Sequence, residues 1–174
     1  MTDYSGLIVP LPELEPLVGA WRARYDTTFA DVPAHVTALF PWIPPDELTE
    51  ADLDAVGQLA KGWQPFEVCF ERFASFDDAE VHYLAPEPAD PFLALTEDLC
   101  AGWPEYPPYE GAFAELVPHL TVSTSAGAEQ VAEFRAAIAA RLPVRATARE
   151  LVAVEVRDGR CRIRRSFRLG GGKG

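Results

Sequence analysis

Two four-residue stretches, His35-Val36-Thr37-Ala38 and His119-Leu120-Thr121-Val122, set an imidazole two residues before a threonine hydroxyl, with apolar side chains at the alternate positions. Of the three histidines in the chain, only His82 lacks the threonine. Threonine fills nine of 174 positions, so two of three histidines carrying it at this offset by chance is about a 1% event. In a strand, side chains alternate between faces, so His35 would share a face with Thr37, and His119 with Thr121. Imidazole titrates near neutrality, and two of them can serve as base and acid in one turnover. Opening a cyclic phosphodiester requires that pairing: one group takes a proton from water and the other gives one to the departing ribose oxygen. The hydroxyls of Thr37 and Thr121 could donate to the non-bridging oxygens. A single such motif reads as a strand histidine beside a β-favouring residue, and it is the repetition that points to chemistry. Zinc and iron sites usually recruit a third ligand, and no spacing in the chain supplies one, so no metal or other cofactor is expected.

The elements that must carry these residues follow from periodicity. Residues 5–11 read as a strand and 12–25 as a helix, with Leu14, Leu17, Val18 and Trp21 at helical spacing. The first histidine strand covers 35–42. A helix over 49–63 opens with Thr49 and Asp52 in a near capping-box pattern. Strands over 65–76 and 79–87 face each other across an Asp77-Asp78 turn. A helix over 90–103, the second histidine strand over 118–124 and a helix over 126–142 come next. Residues 143–169 read as a hairpin turning at Asp158-Gly159. Both halves run strand, helix, histidine strand, helix, strand, which suggests one domain over 1–174 built by duplication. The first repeat would span about 4–76 and the second about 79–169, each supplying one histidine to a shared site, with a flexible tail at 170–174.

Bulk properties narrow the partners. The net charge is −12, with residues 1–144 holding 6 Lys+Arg against 24 Asp+Glu and residues 145–174 holding 9 against 3. That balance argues against coating long nucleic acid through phosphate attraction. Pro10, Pro12 and acids interrupt the N-terminal apolar run, so neither a signal peptide nor a membrane span is expected, and the location read is cytoplasmic. Cys69, Cys100 and Cys161 are odd in number and widely spaced, and read as buried thiols.

The paired motifs, 84 residues apart, resemble the two H-x-[ST]-x signatures of the 2H phosphoesterase superfamily, the 2′-5′ RNA ligase-like and cyclic-nucleotide phosphodiesterase proteins. The resemblance implies an α+β fold made of two β-α-β-α-β units, with two mainly antiparallel sheets forming a central groove and helices outside. It implies metal-independent opening of a 2′,3′-cyclic phosphate or a small nucleotide or RNA-terminus phosphodiester by a monomer, or 2′-5′ joining in the reverse direction. A binding module without catalysis is the competing class. By position, His35 and His119 are acid and base in an order the sequence leaves open, and Thr37 and Thr121 are phosphate ligands. On the last predicted strand, Arg162 and Arg164 share a face with Arg160 and are further candidates for a substrate phosphate. Tyr106 and Tyr109 could stack a base, and His82 reads as structural or exposed.

Overall fold

The computed structural model describes residues 2–76 and 80–170. Its chain order is β1 (Tyr4–Pro10), α1 (Glu15–Tyr25), β2 (His35–Leu39), α2 (Glu50–Lys61), β3 (Phe66–Phe76), β4 (Val81–Glu87), α3 (Asp90–Gly102), β5 (Leu120–Ser123), α4 (Ala128–Ala139), β6 (Val144–Ala148), β7 (Glu150–Arg157) and β8 (Arg160–Arg168). Local chemistry sets several of these limits. Thr49 caps α2 through a complete capping box with Asp52, which satisfies amide donors that no preceding turn can reach. Asp158 and Gly159 both take positive φ, at 50° and 73°, as a two-residue hairpin turn between right-twisted strands requires. The predicted Asp77-Asp78 turn and residues 171–174 of the tail lie outside the described residues.

The architecture is α+β, with one correction to the expected pair of sheets. All eight strands form a single antiparallel sheet in the order β6-β3-β4-β5-β2-β1-β7-β8. Two four-stranded halves meet where β2 pairs with β5, through Val36 opposite Leu120. Both residues are fully buried, so the two motif strands join at the centre of the sheet rather than facing across a gap between sheets.

The contiguous hairpin read over 143–169 also changes. Residues 144–148 pair with β3 at one edge of the sheet, while β7 and β8 lie at the other edge beside β1. The buried phase explains the break: Ala146 and Ala148 point into the core, and after Arg149 it passes to Leu151 and Ala153. A one-residue slip of this kind swaps the faces of everything that follows.

Helices occupy one face of the sheet and cross between the halves, α1 against β5, α3 against β2, α4 against β3 and α2 against β7 and β8. The main core lies between these layers and includes Leu7, Val36, Leu84, Leu120 and Phe134. A smaller apolar cluster on the opposite face gathers Ile8, Val32, Val152, Val154, Val156 and Cys161, with Phe29 against it. Among the described residues no helix is long and apolar enough to cross a membrane. Only Cys161 is buried; Cys69 and Cys100 are partly exposed, Cys69 because it alternates with the core residues Val68 and Phe70 on β3 and Cys100 because it packs at the edge of the core.

Candidate active site

Residue alternation on the two central strands separates polar from apolar as the motifs demand. Val36, Ala38, Leu120 and Val122 are buried in the helix-side core, so His35, Thr37, His119 and Thr121 turn to the other face. Antiparallel pairing of Val36 with Leu120 sets His35 beside Thr121 and Thr37 beside His119. Directly opposite Cβ atoms lie about 5 Å apart and diagonal ones about 7–8 Å apart, so the two imidazoles stand diagonally across the shared seam. His119 falls immediately before β5 and shares a crevice with Thr37, bordered by Phe40, Tyr109 and Val117.

Both histidines are oriented by the same local device. Nδ1 of His35 lies 2.8 Å from the Pro33 carbonyl oxygen, and Nδ1 of His119 lies 2.8 Å from that of Val117. A carbonyl only accepts, so each Nδ1 carries hydrogen and donates, which leaves each Nε2 lone pair available on the groove side. The rings are held laterally by aromatic neighbours: Phe29 lies 5.5 Å from His35 between centroids, and Phe76 and Tyr83 lie 5.1 and 5.5 Å from His119.

Burial shapes their titration. His35 is only 8% exposed, and desolvation, opposed by its Pro33 hydrogen bond and assisted by the Arg22 and His119 charges, brings its pKa down to about 4. Desolvation likewise lowers His119, against the Val117 hydrogen bond, though its ring is the more exposed of the two. Both imidazoles are therefore neutral at neutral pH.

The His35 shift carries a stability consequence with a definite sign. An imidazole protonated below pH 6.5 when unfolded, but only near pH 4 when folded, withdraws stability as pH falls through that window, by about 3 kcal/mol in total. Asp26 acts oppositely: burial raises it to about 6 despite Arg22, so its contribution is lost as pH rises from about 4 to 6. Urea denaturation from pH 7 to 4 should therefore show only a shallow decline in wild type. Asp26→Asn should steepen that decline and His35→Gln should reverse it; parallel curves for all three would contradict the assignment.

Behind His35 lies a support that the sequence did not reveal. Arg22, 2% exposed, donates to the carbonyls of Val32 and Phe29 at 3.1 and 2.9 Å and to Glu15 at 2.9 Å. Glu15 in turn accepts from the Ala34 amide. This pair fixes the 29–34 segment that presents the Pro33 carbonyl to His35. Thr96 of α3 donates to the Ala38 carbonyl at 2.7 Å and pins β2 from the helix side. A buried arginine and a threonine inside a helix give no periodic signal, so only their partners disclose them.

Other candidates are placed elsewhere. Arg162 and Arg164 sit on β8, three strands from β2, about 14 Å at ordinary strand spacing. Arg162 pairs across the ladder with Glu155, which alternates with Val154 and Val156 of the groove-side cluster, so it faces the helices. Arg164 is engaged by Glu155 at 3.2 Å and Glu50 at 3.5 Å. The structure thus brings together His35, Thr37, His119 and Thr121 but neither arginine. Tyr109 borders the crevice, and its amide donates to the Phe40 carbonyl at 2.7 Å, while Tyr106 packs on the main core. His82 bonds to Ser75 at 2.6 Å and lies flat over Phe73, a packing role. Among the described residues no three His, Cys, Asp or Glu side chains converge as a metal site would need.

This arrangement has relatives. The family model of the 2′-5′ RNA ligase superfamily matches residues 10–160, a span that holds both motifs. The chain belongs to that superfamily. A Bacillus pumilus (strain SAFR-032) protein named "Putative phosphoesterase" is 30% identical over 129 residues, covering 69% of this chain and 68% of its own length. A Bacillus licheniformis protein with a similar name is 30% identical over 125 residues, 69% of each chain. Among solved structures, TT0787 of Thermus thermophilus superposes with a TM-score of 0.65 at 24% identity, over 97% of this chain and 98% of the other. E. coli LigT complexed with 3′-AMP gives 0.63 at 16% identity over 97% and 99%. These superpositions show that the fold is shared over almost the whole chain.

Proposed function

We propose that this superfamily member hydrolyses a 2′,3′-cyclic phosphate, or a small nucleotide or RNA-terminus phosphodiester, by two-histidine general acid/base catalysis. One observation carries the reading: both imidazoles are bonded through Nδ1 to the carbonyl two residues earlier, which frees both Nε2 atoms, on two strands whose pairing sets the histidines diagonally across one seam beside Thr37 and Thr121. His35 is assigned as the base because its Nε2 lone pair is free at neutral pH, while the burial that lowers its pKa to about 4 limits its strength as a proton acceptor. His119, more exposed, is suited to carry the proton once a phosphodiester anion lies against it. Water then attacks phosphorus: its oxygen forms the new P–O bond, its proton passes to Nε2 of His35, and the P–O bond to one ribose oxygen breaks as that oxygen takes the proton from Nε2 of His119. Thr37 and Thr121 donate to the non-bridging oxygens, where charge builds during attack. With a ribose 5′-hydroxyl in place of water, the same attack would open the cyclic phosphate and join two RNA ends, the P–O bond to one ring oxygen breaking as that oxygen takes the proton from His119.

That LigT has been seen with 3′-AMP and with NADP+ supports a small nucleotide ligand for this chain as well, and the charge of −12 fits short substrates better than long ones. The test is turnover of the four 2′,3′-cyclic nucleotides and of a short RNA ending in a cyclic phosphate, with EDTA present. Hydrolysis to a single monophosphate isomer is expected. Binding without any product would favour a non-catalytic module and would contradict the proposal.

A further inference from the structure

The antiparallel pair Val36/Leu120 puts the two motif strands in matching positions, each flanked by one further strand, and the match fails at one informative position. Across β1, the partner of Thr37 is Ile8. Across β4, the partner of Thr121 is Tyr83. These positions are equivalent, yet one carries a hydrocarbon and the other a phenol.

Their surroundings differ in the same sense. Ile8 is 1% exposed and is sealed among Val32, Val152 and Val154 beneath Phe29, so the groove is closed on the His35 side. The Tyr83 ring is also buried, at 6% exposure, but it is fixed by stacking on Phe76 at 4.4 Å and 26° and by meeting the His119 ring at 5.5 Å. Among the described residues its hydroxyl bonds to no side chain or backbone group, and it is not one of the sealed unpaired polar atoms, which are Glu13 Oε2, Arg22 Nε and Trp42 Nε1. A phenol clamped against Phe76 and His119, directly cross-strand from Thr121, puts a hydrogen-bond donor beside the motif residues. Phe76 beside it is only partly buried, whereas Ile8 on the β1 side is sealed.

We infer that Tyr83 is a further substrate-binding residue, its hydroxyl donating to the phosphoryl group on the Thr121 side. The inference rests on the phosphodiesterase reading above, and it gives the groove a direction: the ribose oxygen that departs lies at His119, and water arrives at His35.

Tyr83→Phe keeps the ring and every contact described for it, so it isolates the hydroxyl. Two measurements are needed, kcat/KM for a 2′,3′-cyclic nucleotide and calorimetric affinity for the corresponding 3′-monophosphate. Losing a hydrogen bond to a charged acceptor should lower both by about 10- to 100-fold, with Tm and the shape of the pH profile unchanged. Wild-type values for both would overturn the role of Tyr83 and leave the phosphodiesterase reading intact. A fall in Tm that accompanies the loss would reassign Tyr83 to structure and also overturn it. If the wild-type protein binds the monophosphate without turning over the cyclic nucleotide, the phosphodiesterase reading fails and the calorimetric comparison alone decides Tyr83. Absence of both binding and turnover in wild type overturns the two together.

Discussion

Replacing either His35 or His119 with alanine is expected to lower turnover of a 2′,3′-cyclic nucleotide by about 10²- to 10⁴-fold, the range of a lost general acid or base. The double replacement should cost little more than either single one, because two groups that act in one proton relay are not additive. The remaining rate would come from Thr37 and Thr121, which still hold the phosphoryl group. His119 is only partly buried, so His119→Ala should leave Tm near wild type, and its rate loss can be read as chemistry. His35 is buried, so His35→Gln is the cleaner variant there. Independent, multiplying losses in the double variant would argue that the two imidazoles do not serve one step.

Arg22→Met is expected to destabilise the fold by about 2–4 kcal/mol, chiefly because two carbonyls lose a charged donor, Glu15 being 39% exposed and able to regain water. The cost has named components: the carbonyls of Phe29 and Val32 lose their donors, and Glu15 loses its counter-charge. Glu15→Gln should cost less, since an amide oxygen still accepts from the Ala34 amide and only the charge is gone. Urea denaturation of the two variants gives the comparison directly. A loss below about 1 kcal/mol for Arg22→Met, the scale of an exposed ion pair, would show that the network does not hold the 29–34 segment. Because that segment supplies the Pro33 carbonyl, the surviving folded Arg22→Met protein should also have reduced kcat.

The parts of the fold legible in the sequence are those that local chemistry fixes. The Thr49 capping box, the Asp158-Gly159 turn and the alternation around His35 and His119 each depend on a few adjacent residues, and each stands where the pattern set it. Pairing between distant strands leaves no comparable trace. Nothing in residues 143–148 shows that they leave the β7–β8 hairpin for the far edge beside β3, and nothing in either motif says that Val36 and Leu120 fuse the halves into one sheet. The arginines of β8 illustrate the same limit: their alternation could be read, but which face was turned to the histidines depended on the bulge between Ala153 and Val154. Tyr83 was invisible for a related reason, since a tyrosine in a strand becomes notable only when its cross-strand partner is known to be Thr121.

The central claim is that one phosphoryl group touches both imidazoles at once. It is tested most directly by long-range 1H–15N NMR of the histidine side chains during titration with a nucleoside 3′-monophosphate at neutral pH. The Nε2 resonances of His35 and His119 should move together along one saturating curve at a single equivalent, while both Nδ1 atoms stay protonated and His82 stays still. Movement of only one of the two, or separate saturation of each, would contradict a shared site.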